Sequence, residues 1–115
     1  MGNSKLFIES TPSGNNIFKH IWEANMKEQD IQAKIQKYIK ARGGYVVKTI
    51  TSNRAGIPDI LCCIDGKFIG IEVKMPGKTA SPLQLANGDL IESAGGLFLV
   101  ATSVEEVRNF VEAYI

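Results

Sequence analysis

The stretch Ile60-Leu61-Cys62-Cys63-Ile64-Asp65-Gly66-Lys67-Phe68-Ile69-Gly70-Ile71-Glu72-Val73-Lys74 decides the fold. Asp-Gly between two apolar, β-branched runs is among the strongest short signals for a hairpin closed by a two-residue turn. Such a turn sets the register: Ile64 pairs with Lys67, Ile60 with Ile71, and Asp59, just ahead of the first strand, falls opposite Glu72. Residues directly opposite share a face with Cβ atoms about 4.5–5.5 Å apart, where two carboxylates repel. Lys74 projects from the same face as Glu72, while Ile69, Ile71 and Val73 cover the other. Two acids and a lysine thus meet at one end of the hairpin. A hard divalent cation, Mg²⁺ or Mn²⁺, would turn the repulsion into ligation. The alternative is a charged strand end bridged by Lys74, which contributes little when exposed. Three charges on one side of a strand otherwise built from Ile and Val favour chemistry.

Toward the N-terminus, Tyr45 to Ile50 reads as a further strand and Thr51 to Gly56 as a polar loop. Before it, Ile31, Ile35, Tyr38 and Ile39 fall on one helical stripe within Lys27 to Arg42, and Gly43-Gly44 supplies the stop. Glu28 lies on the apolar side of that helix, either as a carboxylate aimed inward or as a first-turn acid favoured by the helix dipole. Residues 1–25 show no sustained period and read as an N-terminal extension or leader, with Met26 a candidate start. Within them Phe18, Ile21 and Trp22 would make one helical turn.

Toward the C-terminus, Ser81-Pro82 opens a helix that runs to about Ala94 and stops at Gly95-Gly96. Leu97 to Ala101 is a short strand of the kind buried between layers. Ser103 and Glu106 form a capping box for a last helix whose stripe is Val104, Val107, Phe110, Val111 and Tyr114 or Ile115. The order α-β-β-β-α-β-α describes an α/β domain, a mixed sheet flanked by helices, over residues 26–115.

At 115 residues the chain holds one core and not two. Its longest apolar runs, Ile60 to Ile64 and Leu97 to Ala101, are far short of the roughly 20 residues that span a bilayer, which excludes a membrane helix. Cys62 and Cys63 are adjacent and point to opposite faces of a strand, so they neither pair nor chelate zinc together. Both are expected as buried, reduced thiols of a cytoplasmic protein. The net charge of +1 hides an asymmetry: residues 26–84 carry ten Lys or Arg against five acids, and residues 85–115 one Arg against five acids. A basic centre and an acidic tail suggest a charged partner.

Pro58-Asp59 followed by Glu72-Val73-Lys74 resembles the PD-(D/E)XK nuclease signature. The series Glu28 and Gln32 on an early helix, Gly56-Ile57-Pro58-Asp59-Ile60, Glu72-Val73-Lys74, then Ser81-Pro82-Leu83-Gln84 is similar to the VRR-NUC family, compact nuclease domains found alone in phages and within larger repair nucleases. The resemblance covers roughly Lys27 to Ala101 and implies a restriction-endonuclease-like core. It also implies a catalytic set of Glu28, Asp59, Glu72, Lys74 and Gln84. Asp59, Glu72 and the Val73 backbone carbonyl would hold Mg²⁺ or Mn²⁺, with Glu28 joining directly or through water. Lys74 would orient or deprotonate the attacking water. Gln84 matches the family's helix glutamine and equally fits the third position of a capping box after Ser81. Arg42, Lys48, Arg54, Lys67 and Lys78 are expected near the site as phosphate contacts that do not read bases.

The function so implied is a metal-dependent, structure-selective DNA endonuclease acting on branched DNA such as four-way (Holliday) junctions. The small size, apolar last helix and N-terminal segment suggest a homodimer, which would place two sites on two strands. The alternatives are a non-catalytic DNA-binding or assembly module on the same fold, and a sequence-specific restriction-type endonuclease. The latter normally needs more chain for base readout.

Overall fold

Asp65 and Gly66 both take positive φ, 50° and 80°, the backbone that a two-residue hairpin turn matched to strand twist requires. In the computed structural model, which describes residues 26–115, that turn joins β2 (Ile60–Ile64) to β3 (Lys67–Val73). The register is the expected one, Ile64 opposite Lys67 and Ile60 opposite Ile71. β1 (Tyr45–Lys48) pairs antiparallel with β2, and β4 (Leu97–Ala101) pairs parallel with β3, giving the order β1-β2-β3-β4. A parallel neighbour needs a crossover. Here it is α2 (Pro82–Ser93), preceded in the chain by α1 (Glu28–Ala41) and followed by α3 (Val104–Tyr114). The α-β-β-β-α-β-α order and the mixed sheet stand as read.

The pleat sends alternate residues of β3 to opposite faces. Ile69, Ile71 and Val73, with Ile60, Cys62 and Ile64 of β2, pack against Ile31, Ile35 and Ile39 of α1 and Val107 and Val111 of α3, all buried. Among the described residues, the other face is covered by α2 alone. A methyl group on Gly70 would stand 2.8 Å from Ile91 of α2 and 2.9 Å from Pro58. The missing side chain therefore seats both the helix and the segment that carries Asp59.

Some local expectations change. β1 ends at Lys48, and Ile50 stands 87% exposed in the loop. Cys62 is buried but Cys63 is exposed, because the face it joins is uncovered at β2. Leu97 to Val100 are only half-buried, since one helix does not fully cover an edge strand. At α3 the Ser103 hydroxyl accepts from the Glu106 N–H, but the Glu106 carboxylate accepts from Thr102 N–H at 2.6 Å and so closes on the residue before the cap. Tyr114 is exposed and leaves Ile115 to extend the stripe. The helical turn expected at Phe18, Ile21 and Trp22 lies outside the described residues. No helix among the described residues is long and apolar enough to cross a membrane.

Candidate active site

Asp59 sits where the loop enters β2, half-buried. Its backbone carbonyl accepts from Thr49 N–H at 2.8 Å and from the Thr49 hydroxyl at 3.1 Å, and that hydroxyl also donates to the Pro58 carbonyl at 2.8 Å. The end of β1 thereby holds the Pro-Asp backbone in place. The Asp59 side chain accepts from Val73 N–H at 2.8 Å through Oδ2, a side chain standing in for the backbone rung that the hairpin lacks beyond Ile60. Asp59 is thus tied to the strand that bears Glu72 and Lys74.

Glu72 is only 2% exposed. Its Oε2 accepts from Gln84 Nε2 at 2.9 Å and lies 3.4 Å from Lys74 Nζ, while its Oε1 is buried with no hydrogen-bond partner among the described residues. Burial raises its pKa from the ordinary 4.5 to about 7; the charge of Asp59 pushes the same way and Lys74 opposes both. A buried carboxylate oxygen without a donor is costly. An added cation would remove that cost, and two carboxylates in this pairing have the hard-oxygen chemistry that Mg²⁺ or Mn²⁺ takes.

Gln84 satisfies both of its readings at once. Its Oε1 accepts from Ser81 N–H at 2.8 Å while the Ser81 hydroxyl accepts from Gln84 N–H at 3.2 Å, completing the capping box. Its Nε2 is left to donate to Glu72. The cap orients the amide, so the helix start is also the support that aims the carboxylate.

Other expected residues are placed differently. Glu28 is half-buried in the first turn of α1, and among the described residues no group of three His, Cys, Asp or Glu able to hold a metal forms. Arg42 ends α1 and stands 4.0 Å from Asp65 at the hairpin tip. Lys67 begins β3 at the same tip. Five residues of strand, roughly 17 Å, separate that tip from Glu72. These two cations are therefore not near the site, because the hairpin runs away from it. Lys48 is at the site end of the sheet, opposite Ile60, and Arg54 and Lys78 are exposed on the loops before Asp59 and after Lys74.

Two positioning residues escaped the sequence reading. Thr49 looked like ordinary strand content. Asn87 is buried, and its Nδ2 donates to the Ala55 carbonyl at 3.1 Å and the Leu83 carbonyl at 3.0 Å, clamping the loop before Pro58 onto α2. Its spacing of three from Gln84 was the available signal, placing two amides on one helix face.

No family model matches the chain. A solved structure described as a VRR_NUC domain aligns with it at a TM-score of 0.68 and 28% identity, over 76% of this chain and 97% of that one. The chain has the VRR-NUC fold. A second solved VRR_NUC domain protein shows the same fold at a TM-score of 0.64 and 19% identity, over 79% of this chain and 89% of its own. The chain is also 29% identical over 79 residues to p44, a candidate nuclease of Acyrthosiphon pisum secondary endosymbiont phage 1, across 68% of this chain and 85% of that protein. The VRR-NUC likeness read from Pro58-Asp59 and Glu72-Val73-Lys74 is borne out by the solved structures.

Proposed function

We propose that this VRR-NUC domain is a metal-dependent DNA endonuclease selective for branched DNA. The observation that carries the reading is Glu72, buried beside Asp59 with one oxygen unpartnered and the other held by Lys74 and Gln84. The nuclease name of the phage relative agrees with it.

Asp59, Glu72 and the Val73 carbonyl would hold Mg²⁺ or Mn²⁺. When bound, the metal stabilises the charge that builds on the phosphoryl oxygens and lowers the pKa of a coordinated water. The side chains do the rest. Gln84 fixes the plane of the Glu72 carboxylate, and Lys74 orients the attacking water or exchanges a proton with it. Glu28 acts through water. Lys48, Arg54 and Lys78 hold flanking phosphates without reading sequence. A two-fold dimer would present two such sites to the two strands of a junction.

The test is cleavage of four-way junction, flap, linear duplex and single-stranded DNA, each with Mg²⁺ or Mn²⁺, by the wild type and Asp59→Ala. Expected are metal-dependent cutting by the wild type, fastest on the junction, and its loss in the variant. DNA binding without metal-dependent cutting, or equal cutting by Asp59→Ala, overturns the enzyme reading in favour of a binding module. Linear duplex cut as fast as the junction removes branch selectivity. A monomer in sedimentation at micromolar concentration removes the dimer.

A further inference from the structure

A groove of about 720 Å³ opens on the α2 face of the sheet, between β2 and the helix. Leu61 and Phe68 line its floor side and Leu90 and Ile91 its helix side; Arg54, on the loop before Asp59, and Lys67, at the hairpin tip, line it as well. Among the described residues no Asp or Glu lines it, although Asp59, Asp65, Asp89 and Glu92 each adjoin a lining residue in sequence; Asp65 faces Arg42. Pro58 and Asn87, which adjoin the residues that build the site, also belong to its wall, so groove and site are continuous. Phe68 and Leu90 are 44% and 54% exposed, an apolar lining that none of the described residues covers.

We infer that this groove receives a short unpaired stretch of the DNA strand that runs from the scissile phosphate toward the hairpin tip. The inference rests on the nuclease reading and names what such an enzyme would recognise in branched DNA. A single strand has the matching chemistry: successive phosphates for Arg54 and Lys67, and flat apolar bases between them for Phe68 and the leucines. The volume lies within the ~300–1,000 Å³ typical of small-ligand sites. In a duplex the base faces are stacked on one another and cannot reach Phe68, so only a strand freed at a branch, flap or end offers one. A second copy of the chain fits less well. A two-fold contact centred here would press this cationic patch, which has no acid in its lining, onto a copy of itself.

The experiment is binding, read in EDTA so that no cleavage occurs, by anisotropy of a labelled dT oligonucleotide and of a labelled blunt duplex. Phe68→Ala is expected to weaken single-strand binding about tenfold, with duplex binding changed less than about twofold. Phe68→Trp should keep single-strand affinity. Leu90→Asp, a change on an exposed helix position that carries little folding risk, should weaken it as Phe68→Ala does. Unchanged single-strand affinity in Phe68→Ala and Leu90→Asp overturns the inference, as does an equal loss for duplex. Loss of self-association in either variant with single-strand affinity intact assigns the face to a second copy and also overturns it. The nuclease reading fails separately, on Asp59→Ala and cleavage.

Discussion

The two faces of the sheet are built from the same strands and behave as different materials. One is closed by α1 and α3 around isoleucine and valine, with Ile35, Ile39, Ile69, Ile71 and Val73 all fully shielded. The other, among the described residues, has α2 alone, and under and beside that helix lie Glu72, Gln84, Asn87 and the open groove. The difference shows how a domain this small keeps both stability and a charged site. The pleat places consecutive residues of β3 on opposite faces, so the core and the chemistry are one residue apart. A buried carboxylate is a liability that the isoleucine face must offset.

If that division is right, neighbours on β3 respond in opposite directions to substitution. Ile71→Ala leaves a cavity on the closed face and should lower the unfolding free energy by about 2–5 kcal/mol in urea titration. A cost below about 1 kcal/mol would mean that the closed face is not what holds the fold. Glu72→Gln, at the next residue, should raise stability when metal is chelated with EDTA. Glu72 has a folded-state pKa of about 7 against an ordinary 4.5. The native state therefore binds the extra proton between those values, and wild-type stability falls as pH rises through them. At about 1.4 kcal/mol per unit, the wild type should lose on the order of 3 kcal/mol relative to Glu72→Gln between pH 4.5 and 7.5. Parallel pH profiles for the two proteins would break the contrast. Cleavage should be lost in Glu72→Gln, so gain of stability and loss of activity would come from one atom.

The start of α2 sharpens the comparison at lower cost. Ser81→Ala and Gln84→Ala each remove half of a capping box and should each cost about 1 kcal/mol. Only Gln84→Ala also releases Glu72, so only it should slow cleavage. Equal effects on cleavage would mean that Gln84 matters as a cap alone.

The hairpin was legible because its turn chemistry fixes register, and register fixes which side chains share a face. From that, the convergence of Asp59, Glu72 and Lys74 followed. What stayed hidden depends on contacts between distant segments. The two acids are joined by a side-chain bond from Asp59 to the Val73 N–H rather than by a further ladder rung, a substitution that no local pattern announces. Gln84 was legible twice, as cap and as site residue, yet a sequence cannot show that one amide has an atom for each task. The basic residues were grouped by proximity in the chain. Arg42 and Lys67 stand instead at the hairpin tip, since a strand that begins at a cation carries it the full strand length from the other end.

Cys62 and Cys63 give the smallest test of the same alternation, and the cleanest, because one reagent reads both faces. Cys62 points into the closed face, and burial, with a lesser contribution from Cys63, pushes its thiol up to about 12. Cys63 points to the uncovered side of β2 and is exposed. The thiolate is the reactive form, so burial and the raised pKa both protect Cys62 while Cys63 is open to reagent. At pH 8 iodoacetamide should modify one thiol per native chain, Cys63, and reach Cys62 only in denaturing urea. Cys63→Ser should abolish native labelling while shifting stability by no more than about 0.5 kcal/mol, as expected at a surface position. Equal labelling of both thiols in the native chain, read by mass spectrometry of the peptides, would mean that β2 does not keep its two faces apart. The separation of core from site by a single residue would then be lost one strand over from β3.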